Sequence, residues 1–353
     1  MAQSHTHLWP GVPLALGSAV LFGLSAPLSK LLVGAIDPWL LAGILYLGAG
    51  AGLGLLHAGR ALFGLPNAEA PLTRADLPWL AAVVAFGGVL GPLFLMLGLS
   101  LTSASSASLL LNLEGLATMA IAWLVFRENV DRRLLLGAAA ILAGAVLLSW
   151  NGAGLSLDAG GLFVAAACLC WGIDNNLTRK LSTADPVQIA MIKGLVAGCT
   201  NLMLALAFGA AWPGAALVTS GAVVGFLGIG VSLVMFMLGL RHLGTARTGA
   251  YFSLAPFIGA VLAVVIFREA VTLQLVLSGL LMALGLWLHL SERHEHEHSH
   301  DMLEHDHVHV HDEHHRHGHD GPVTEPHSHW HRHEPLRHKH PHYPDLHHGH
   351  SHG

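Results

Sequence analysis

The stretch 102–129, TSASSASLLLNLEGLATMAIAWLVFREN, returns 141 residues later as 243–270, LGTARTGAYFSLAPFIGAVLAVVIFREA. Both run through an apolar middle and close on Phe-Arg-Glu, at Phe126-Arg127-Glu128 and Phe267-Arg268-Glu269. Two more landmarks return in the same order. Phe22-Gly23 is followed 149 residues on by Trp171-Gly172, and Asp37-Pro38 is followed 148 residues on by Asp185-Pro186. Three landmarks at nearly one spacing mark a duplication, with a few residues lost from the second copy. Each copy reads as five hydrophobic spans, and an odd number of spans turns the second copy upside down. Inverted repeats of this kind form the alternating-access core of many secondary transporters.

Composition agrees with a chain built to live in lipid. Of 353 residues, 53% are hydrophobic and only 11% charged, against roughly 25% charged in a soluble domain. A helix needs about 20 apolar residues to cross a bilayer. Spans are expected near 12–33, 39–57, 77–100, 103–126, 133–150, 159–180, 187–210, 216–240, 245–267 and 273–291. Trp9, Trp39, Trp79, Trp150, Trp212 and Trp287 lie close to span ends, where an interfacial aromatic belt is expected. With a cytoplasmic N-terminus, the inside connections hold Arg60, Arg74, Arg127, Arg132, Arg133, Arg179, Lys180, Arg241, Arg247 and Arg293. The outside connections hold Arg268 and Lys30. That bias predicts both termini on the cytoplasmic side of the inner cell membrane. All three cysteines fall in apolar spans, so no disulfide framework is expected. No Lys or Arg precedes Lys30, so a cleaved signal peptide is not expected.

The predicted fold is an all-α polytopic membrane protein of ten transmembrane helices, arranged as two inverted five-helix repeats, with a disordered His-rich C-terminal tail. The parts are a short cytoplasmic N-terminus (1–10), a first repeat (11–150), a linker (151–158), a second repeat (159–292) and the tail (293–353). The two quoted stretches resemble the drug/metabolite transporter superfamily, specifically its ten-helix members with two EamA-type domains. They show that domain's small-residue helix, central break and terminal Arg/Gly-Glu. The Phe-Gly and Trp-Gly pairs of the first and sixth spans and Arg247 in the ninth also fit. Glu114-Gly115 departs from the pattern, which often has an apolar residue and proline there, as in Ala255-Pro256. The resemblance covers about 11–291 and implies a proton-coupled or exchanging carrier of small organic molecules.

Several residues could carry the chemistry. Glu114 sits midway along the fourth span, where a carboxyl costs at least ~2.5 kcal/mol to insert and is functional unless it has a structural partner. Its repeat equivalent is Ala255, so the scaffold does not require it. Glu114 is therefore a candidate proton carrier, the alternative being a packing hydrogen bond between helices. Asp174 and Lys193 lie at roughly 10 Å depth, at 1.5 Å per residue, on consecutive spans. They are expected to pair, whether to build a site or to specify helix packing. Their equivalents Ser25 and Leu45 are uncharged. Asn175 and Asn176 add amides beside Asp174. Lys30 and Arg179, at span ends, are expected to snorkel to the headgroups. Pro27, Pro92 and Pro256 interrupt spans, and Gly87, Gly88 and Gly91 stand near Pro92. Such positions are candidate helix breaks. Glu114, Asp174, Asn175, Lys193 and Arg247 are thus the substrate and coupling candidates. No phosphate-binding, nucleophile-elbow, HExxH or CxxC pattern occurs, so neither ATP-driven transport nor enzymatic activity is expected.

The tail has a different chemistry. Of 28 histidines, 23 lie from His294 onward, alternating with acids and small residues. That segment has 4 Lys/Arg against 11 Asp/Glu and almost nothing apolar to bury, which predicts disorder in the unliganded chain. His294, His296, His298, His300, His305, His307, His309 and His311 are candidate ligands for Zn²⁺, Ni²⁺ or Co²⁺. A low-complexity, pH-sensitive tail is the plainer alternative. No cofactor is required.

Together these features predict a secondary active exporter of small organic metabolites or toxic compounds, with a metal-binding regulatory tail. The alternatives are a divalent-metal carrier and a membrane-anchored metal buffer or sensor. The expected partners are the lipid bilayer, a small-molecule substrate, divalent metal ions and a second copy of the chain as a homodimer. Nucleic acid is not among them.

Overall fold

The computed structural model describes residues 10–63, 72–126, 132–150, 158–178, 181, 185–243 and 245–290, and in the tail 295–299, 303–309, 327–333 and 337–341. The chain divides into two compact units, Met1–Glu292 and Arg293–Gly353. The first is all-helical among its described residues, and its helices fall into ten segments. These are α1 (Gly11–Val33), α2 (Pro38–Leu62), α3 (Arg74–Leu101), α4a (Ala104–Leu110) with α4b (Leu113–Phe126), and α5 (Arg132–Leu148). The second five are α6 (Ala159–Thr178), α7 (Pro186–Ala207), α8 (Ala215–Gly225 continuing through Leu243), α9a (Thr245–Phe252) with α9b (Ala255–Phe267), and α10 (Leu273–Leu290). Eight segments are long and apolar enough to cross a membrane, so this is a multi-pass membrane protein. The other two are α5, at 17 residues, and α6, whose Asp174, Asn175 and Asn176 lower its hydropathy.

The duplication is visible in the backbone. A π-helical segment interrupts α3 at Val84–Leu90 and α8 at Phe226–Val231, beginning 142 residues apart. The fourth span breaks at Leu111–Asn112 and the ninth at Ser253–Leu254, again 142 apart. Packing follows the same exchange. Helix α2 lies on α7 and α5 on α10, while the α3–α6 contact is matched by α8–α1, and α4b–α6 by α9b–α1. Swapping the two repeats maps each of these contacts onto itself or its partner, which is the mark of a two-fold relation.

Small residues set the spacing of the self-paired helices. A Cβ on Gly194 of α7 would lie 2.7 Å from Gly50 Cα of α2. One on Gly137 of α5 would lie 2.8 Å from the Gly285 carbonyl oxygen of α10. Lipid tails are as apolar as leucine, so such backbone approach, and not hydrophobic burial, holds membrane helices together.

Two of the three proline expectations hold. Pro92 stands just past the π segment of α3, and Pro256 opens α9b after its break. Pro27 does not break α1: it lies fully buried inside a continuous helix. Proline removes the ladder bond to the carbonyl four residues back, here Gly23, but neighbouring helices let a membrane helix absorb that loss.

In the second unit, β1 (Glu295–Ser299) pairs antiparallel with β4 (Arg337–Pro341), and β2 (Leu303–His309) with β3 (His327–His333). Composition predicts disorder here. Two-stranded ribbons without further strands are at best marginal in water, so the pairing does not amount to a packed core.

Candidate functional site

The break in the fourth span begins with Asn112, whose Nδ2 donates to the Leu109 carbonyl at 2.7 Å. Such a local side-chain bond competes with the helical ladder. The helix restarts at Leu113, which puts Glu114 in the first turn of α4b. There the helix dipole is positive and favours a carboxylate. Asn175 Nδ2 of α6 donates to Glu114 Oε1 at 3.0 Å and reaches Thr118 Oγ1 at 3.1 Å. Thr118 in turn donates to the Glu114 carbonyl at 2.9 Å. Asn176 Nδ2 donates to the Thr118 and Gly172 carbonyls at 3.0 and 2.8 Å, clamping α6 to α4b. Glu114 is half-buried, whereas Asn175 and Gly115 are exposed. Polar groups so deep in a span ordinarily face a water-filled cavity rather than hydrocarbon.

Next to this group Lys193 of α7 forms an ion pair with Asp174 of α6. Thr178 Oγ1 donates to the other oxygen of Asp174 at 3.3 Å. The pair lies against Gly87 of α3, where a Cβ would overlap the Asp174 carboxylate and sit 2.6 Å from Lys193 Nζ. Tyr46 of α2 bonds the Gly87 carbonyl, and Asn175, next to Asp174 in sequence, bonds Glu114, so these groups form one cluster at the meeting of α2, α3, α4b, α6 and α7.

The π segment supplies the floor of the cluster. Pro92 has no N–H, so it cannot donate to the carbonyls of Gly87 or Gly88, five and four residues back. Side chains of three other helices take its place. Tyr46 Oη and Trp171 Nε1 donate to the Gly87 carbonyl at 2.9 and 3.1 Å. Asn201 Nδ2 donates to the Gly88 carbonyl at 3.2 Å, and its own Oδ1 accepts from Trp39 Nε1 at 3.0 Å. Trp39 stacks on Phe208, with ring centroids 5.2 Å apart.

Of the sequence candidates, Glu114, Asp174, Asn175 and Lys193 thus come together. Arg247 falls in α9a, and its side chain lies outside the described residues. Tyr46, Trp171, Thr118 and Asn201 were not anticipated as members of the site. Each is a hydrogen-bonding side chain inside an apolar span, and that was the available signal. Among the tail candidates, His296 and His298 fall in β1, and His305, His307 and His309 in β2. His294, His300 and His311 lie outside the described residues. Among the described residues, no group of three or more His, Cys, Asp or Glu side chains converges as a metal site.

A second polar junction ties the repeats together at one end of the bundle. Lys30 does not snorkel to the headgroups. Its Nζ donates to the Thr102 carbonyl at 2.8 Å and to the Leu99 carbonyl, capping the end of α3. Arg268 takes a left-handed conformation (φ 51°, ψ 40°) that ends α9b. The turn carries Glu269 to the start of α4a, where it accepts from the Ala104 and Ser105 amides at 2.9 and 3.2 Å and from the Ser105 hydroxyl. The Phe-Arg-Glu ending is therefore a cap supplied by one repeat to the broken helix of the other. Its first copy, Arg127-Glu128, lies outside the described residues.

Comparison with known proteins gives a consistent picture. The sequence profile of the EamA-like transporter family matches residues 9–150 and again 158–291. A protein of Methanothermobacter thermautotrophicus named "Uncharacterized transporter" is 29% identical over 296 residues, 80% of this chain and 86% of that protein. A Salmonella typhimurium protein named "Probable amino-acid metabolite efflux pump" is 29% identical over 182 residues, 50% of this chain and 56% of that protein. A solved crystal structure superposes with a TM-score of 0.58 at 20% identity, over 79% of this chain and 95% of that one, a likeness of fold alone.

Proposed function

Because the chain belongs to the EamA-like transporter family, we propose that this membrane transporter is a secondary active exporter of small organic metabolites or toxic compounds. It works across the cytoplasmic membrane with both termini on the cytoplasmic side. The observation that carries this reading is Glu114, a carboxylate at the restart of a broken helix, held by the Asn175 amide. The hydrogen-bond partner of Glu114 is a neutral amide, whereas Asp174 forms an ion pair with Lys193. Glu114 is then the group that a proton from outside or a substrate from inside would occupy in turn. Asn175, Trp171 and Tyr46 border the same space. Arg247 at the start of α9 is assigned to the substrate or coupling residues on the family pattern. The efflux role in the name of the Salmonella relative favours export.

The test begins with a metabolite and metal tolerance screen of cells expressing the chain. The compound to which it confers resistance is then followed in transport assays across pH. Glu114→Gln keeps shape and hydrogen bonding but carries no titratable proton. It is expected to abolish pH-dependent export without loss of inserted protein. Normal transport by this variant at every pH would make the carboxyl structural.

The tail is read as a binder of Zn²⁺, Ni²⁺ or Co²⁺ that regulates the carrier. Histidine-dense segments need neutral imidazoles for metal, so binding falls as pH drops below ~6. Deletion of 294–353 is expected to leave basal transport and remove any response to metal. Complete loss of transport, with the protein still inserted, would favour a metal carrier instead.

A further inference from the structure

The exchange of the two repeats has an exception. Helix α4a packs on α9b, and α1 packs on α4a and on the last part of α3 (Gly91–Leu101). Exchange calls for three matching contacts at the opposite end: α9a on α4b, α6 on α9a, and α6 on the last part of α8 (Ser232–Leu243). Among the described residues none of these three is a packed interface. Single positions repeat the contrast. A Cβ on Gly259 of α9b would lie 3.0 Å from Ser108 Oγ of α4a, and Ser108 is buried. At the repeat offset of 141, the equivalents of Ser108 and Gly259 are Gly249 and Thr118. A Cβ on Gly249 of α9a would meet nothing within 4 Å, and neither would one on Gly115 of α4b. One end of the bundle is shut where the other has room.

We propose that α4a and α9b form a closed gate, that Lys30 and Glu269 latch it, and that its opening is exchanged for closure of α9a on α4b. This rests on the reading of the chain as a transporter and adds which end is shut and what holds it. With both termini cytoplasmic, the shut end is the external one, and Glu114 of α4b belongs to the open half. The latch joins four helices. Lys30 of α1 donates to the Leu99 and Thr102 carbonyls at the end of α3. Glu269, just past α9b, accepts from the Ala104 and Ser105 amides at the start of α4a. All these backbone groups belong to helix ends, where water can replace a capping side chain. The latch can therefore release without stranding a buried donor or acceptor. Ser108 Oγ, by contrast, is buried with no hydrogen-bond partner, which costs free energy while the gate is shut. Opening gives that hydroxyl water. A weak latch set against a buried hydroxyl makes a closure that holds but is poised to part. In the opposite state Gly249 faces Thr118, as Ser108 faces Gly259 in this one.

The test reads both ends at once. The full chain is placed in lipid nanodiscs, where a hydrophilic maleimide reaches both faces and no substrate is needed. Cys199, the exposed native cysteine, is first replaced by Ser. Ser108→Cys and Gly249→Cys are then introduced separately. Gly249→Cys is expected to label fast and Ser108→Cys slowly. Losing one helix cap moves a two-state balance by about fivefold. Glu269→Gln with Lys30→Met is therefore expected to raise Ser108→Cys labelling by about fivefold or more and to lower Gly249→Cys labelling. Equal labelling of the two positions before the latch is altered would overturn the proposal. So would a rise at both positions, which is what general loosening of the bundle gives, or no change at either. Because labelling needs no transported compound, these outcomes leave the exporter reading untouched. Failure of the tolerance screen would in turn leave the gate standing.

Discussion

The two repeats share a backbone and differ in what they place on it. On one side Gly87 of the α3 π segment lies against Asp174, and Glu114 opens the second half of the fourth span. On the other, Gly228 of the α8 π segment lies against Ser25, and Ala255 opens the second half of the ninth. Lys193 is answered by Leu45. Near the second position Phe252 packs on Phe22 and Phe236, with ring centroids 5.2 and 4.9 Å apart. Duplication therefore supplied two equivalent backbone positions, and among the described residues the Asp174–Lys193 pair and Glu114 stand at one of them.

That contrast can be broken by experiment. The largest effect is expected from Lys193→Leu, which installs the residue of the other half and leaves Asp174 buried without its partner. It should cost about 3–5 kcal/mol. Adding Asp174→Ser, to complete the conversion, should restore much of that loss. Denaturant or thermal unfolding in detergent measures both, and additive losses would show that the pair is not coupled.

A smaller effect separates the two π segments. Gly87→Ala drives a methyl into the Asp174–Lys193 pair, and overpacking of this kind costs about 1–3 kcal/mol. Gly228→Ala meets Ser25 Cβ at 2.7 Å and the Leu21 carbonyl oxygen at 3.3 Å but no charged group, and is expected to be the milder of the two in the same unfolding assay. Equal losses would mean that the helix–helix distance, not the ion pair, sets the need for glycine. Asn175→Ala should cost about 1.5–3 kcal/mol if Glu114 is ionised, as for a hydrogen bond to a charged group, and about 0.5–1.5 if it is protonated. Measuring it above and below the pH at which transport changes would report the state of Glu114.

The smallest effects lie at the cap shared between repeats. Glu269→Ala removes the acceptor for two amides of α4a and should cost about 1 kcal/mol. Arg268→Gly relieves a left-handed residue and should be neutral or stabilising by up to about 1 kcal/mol. If Arg268→Gly instead destabilises, the Arg268 side chain has a role beyond the turn.

Much of this molecule was legible before any coordinates. Ten helical segments, eight of them long and apolar enough to cross a membrane, emerge within a few residues of their expected limits because hydropathy along a chain records which segments lipid will accept. The repeat was legible because Phe-Arg-Glu and its companions recur in order. Glu114, Asp174 and Lys193 stood out because ionisable groups are rare in spans. Lys30 was misjudged for a physical reason: its depth was readable, but the free carbonyls of Leu99 and Thr102 beside it were not.

What the amino-acid order determined alone was therefore the inventory: helix number, the repeat, the polar residues within the helices, and a tail of alternating histidines. Each follows from local composition, since a membrane helix satisfies its own backbone. Only the tertiary structure decided the partnerships. Pro92 announces a carbonyl without a donor, but that Tyr46, Trp171 and Asn201 supply donors depends on α2, α6 and α7 converging on α3. Glu269 looks like a loop carboxylate until α9 is seen ending beside the start of α4. Hydropathy is a property of one segment, whereas a hydrogen bond between helices is a property of two, and only the packed bundle says which two.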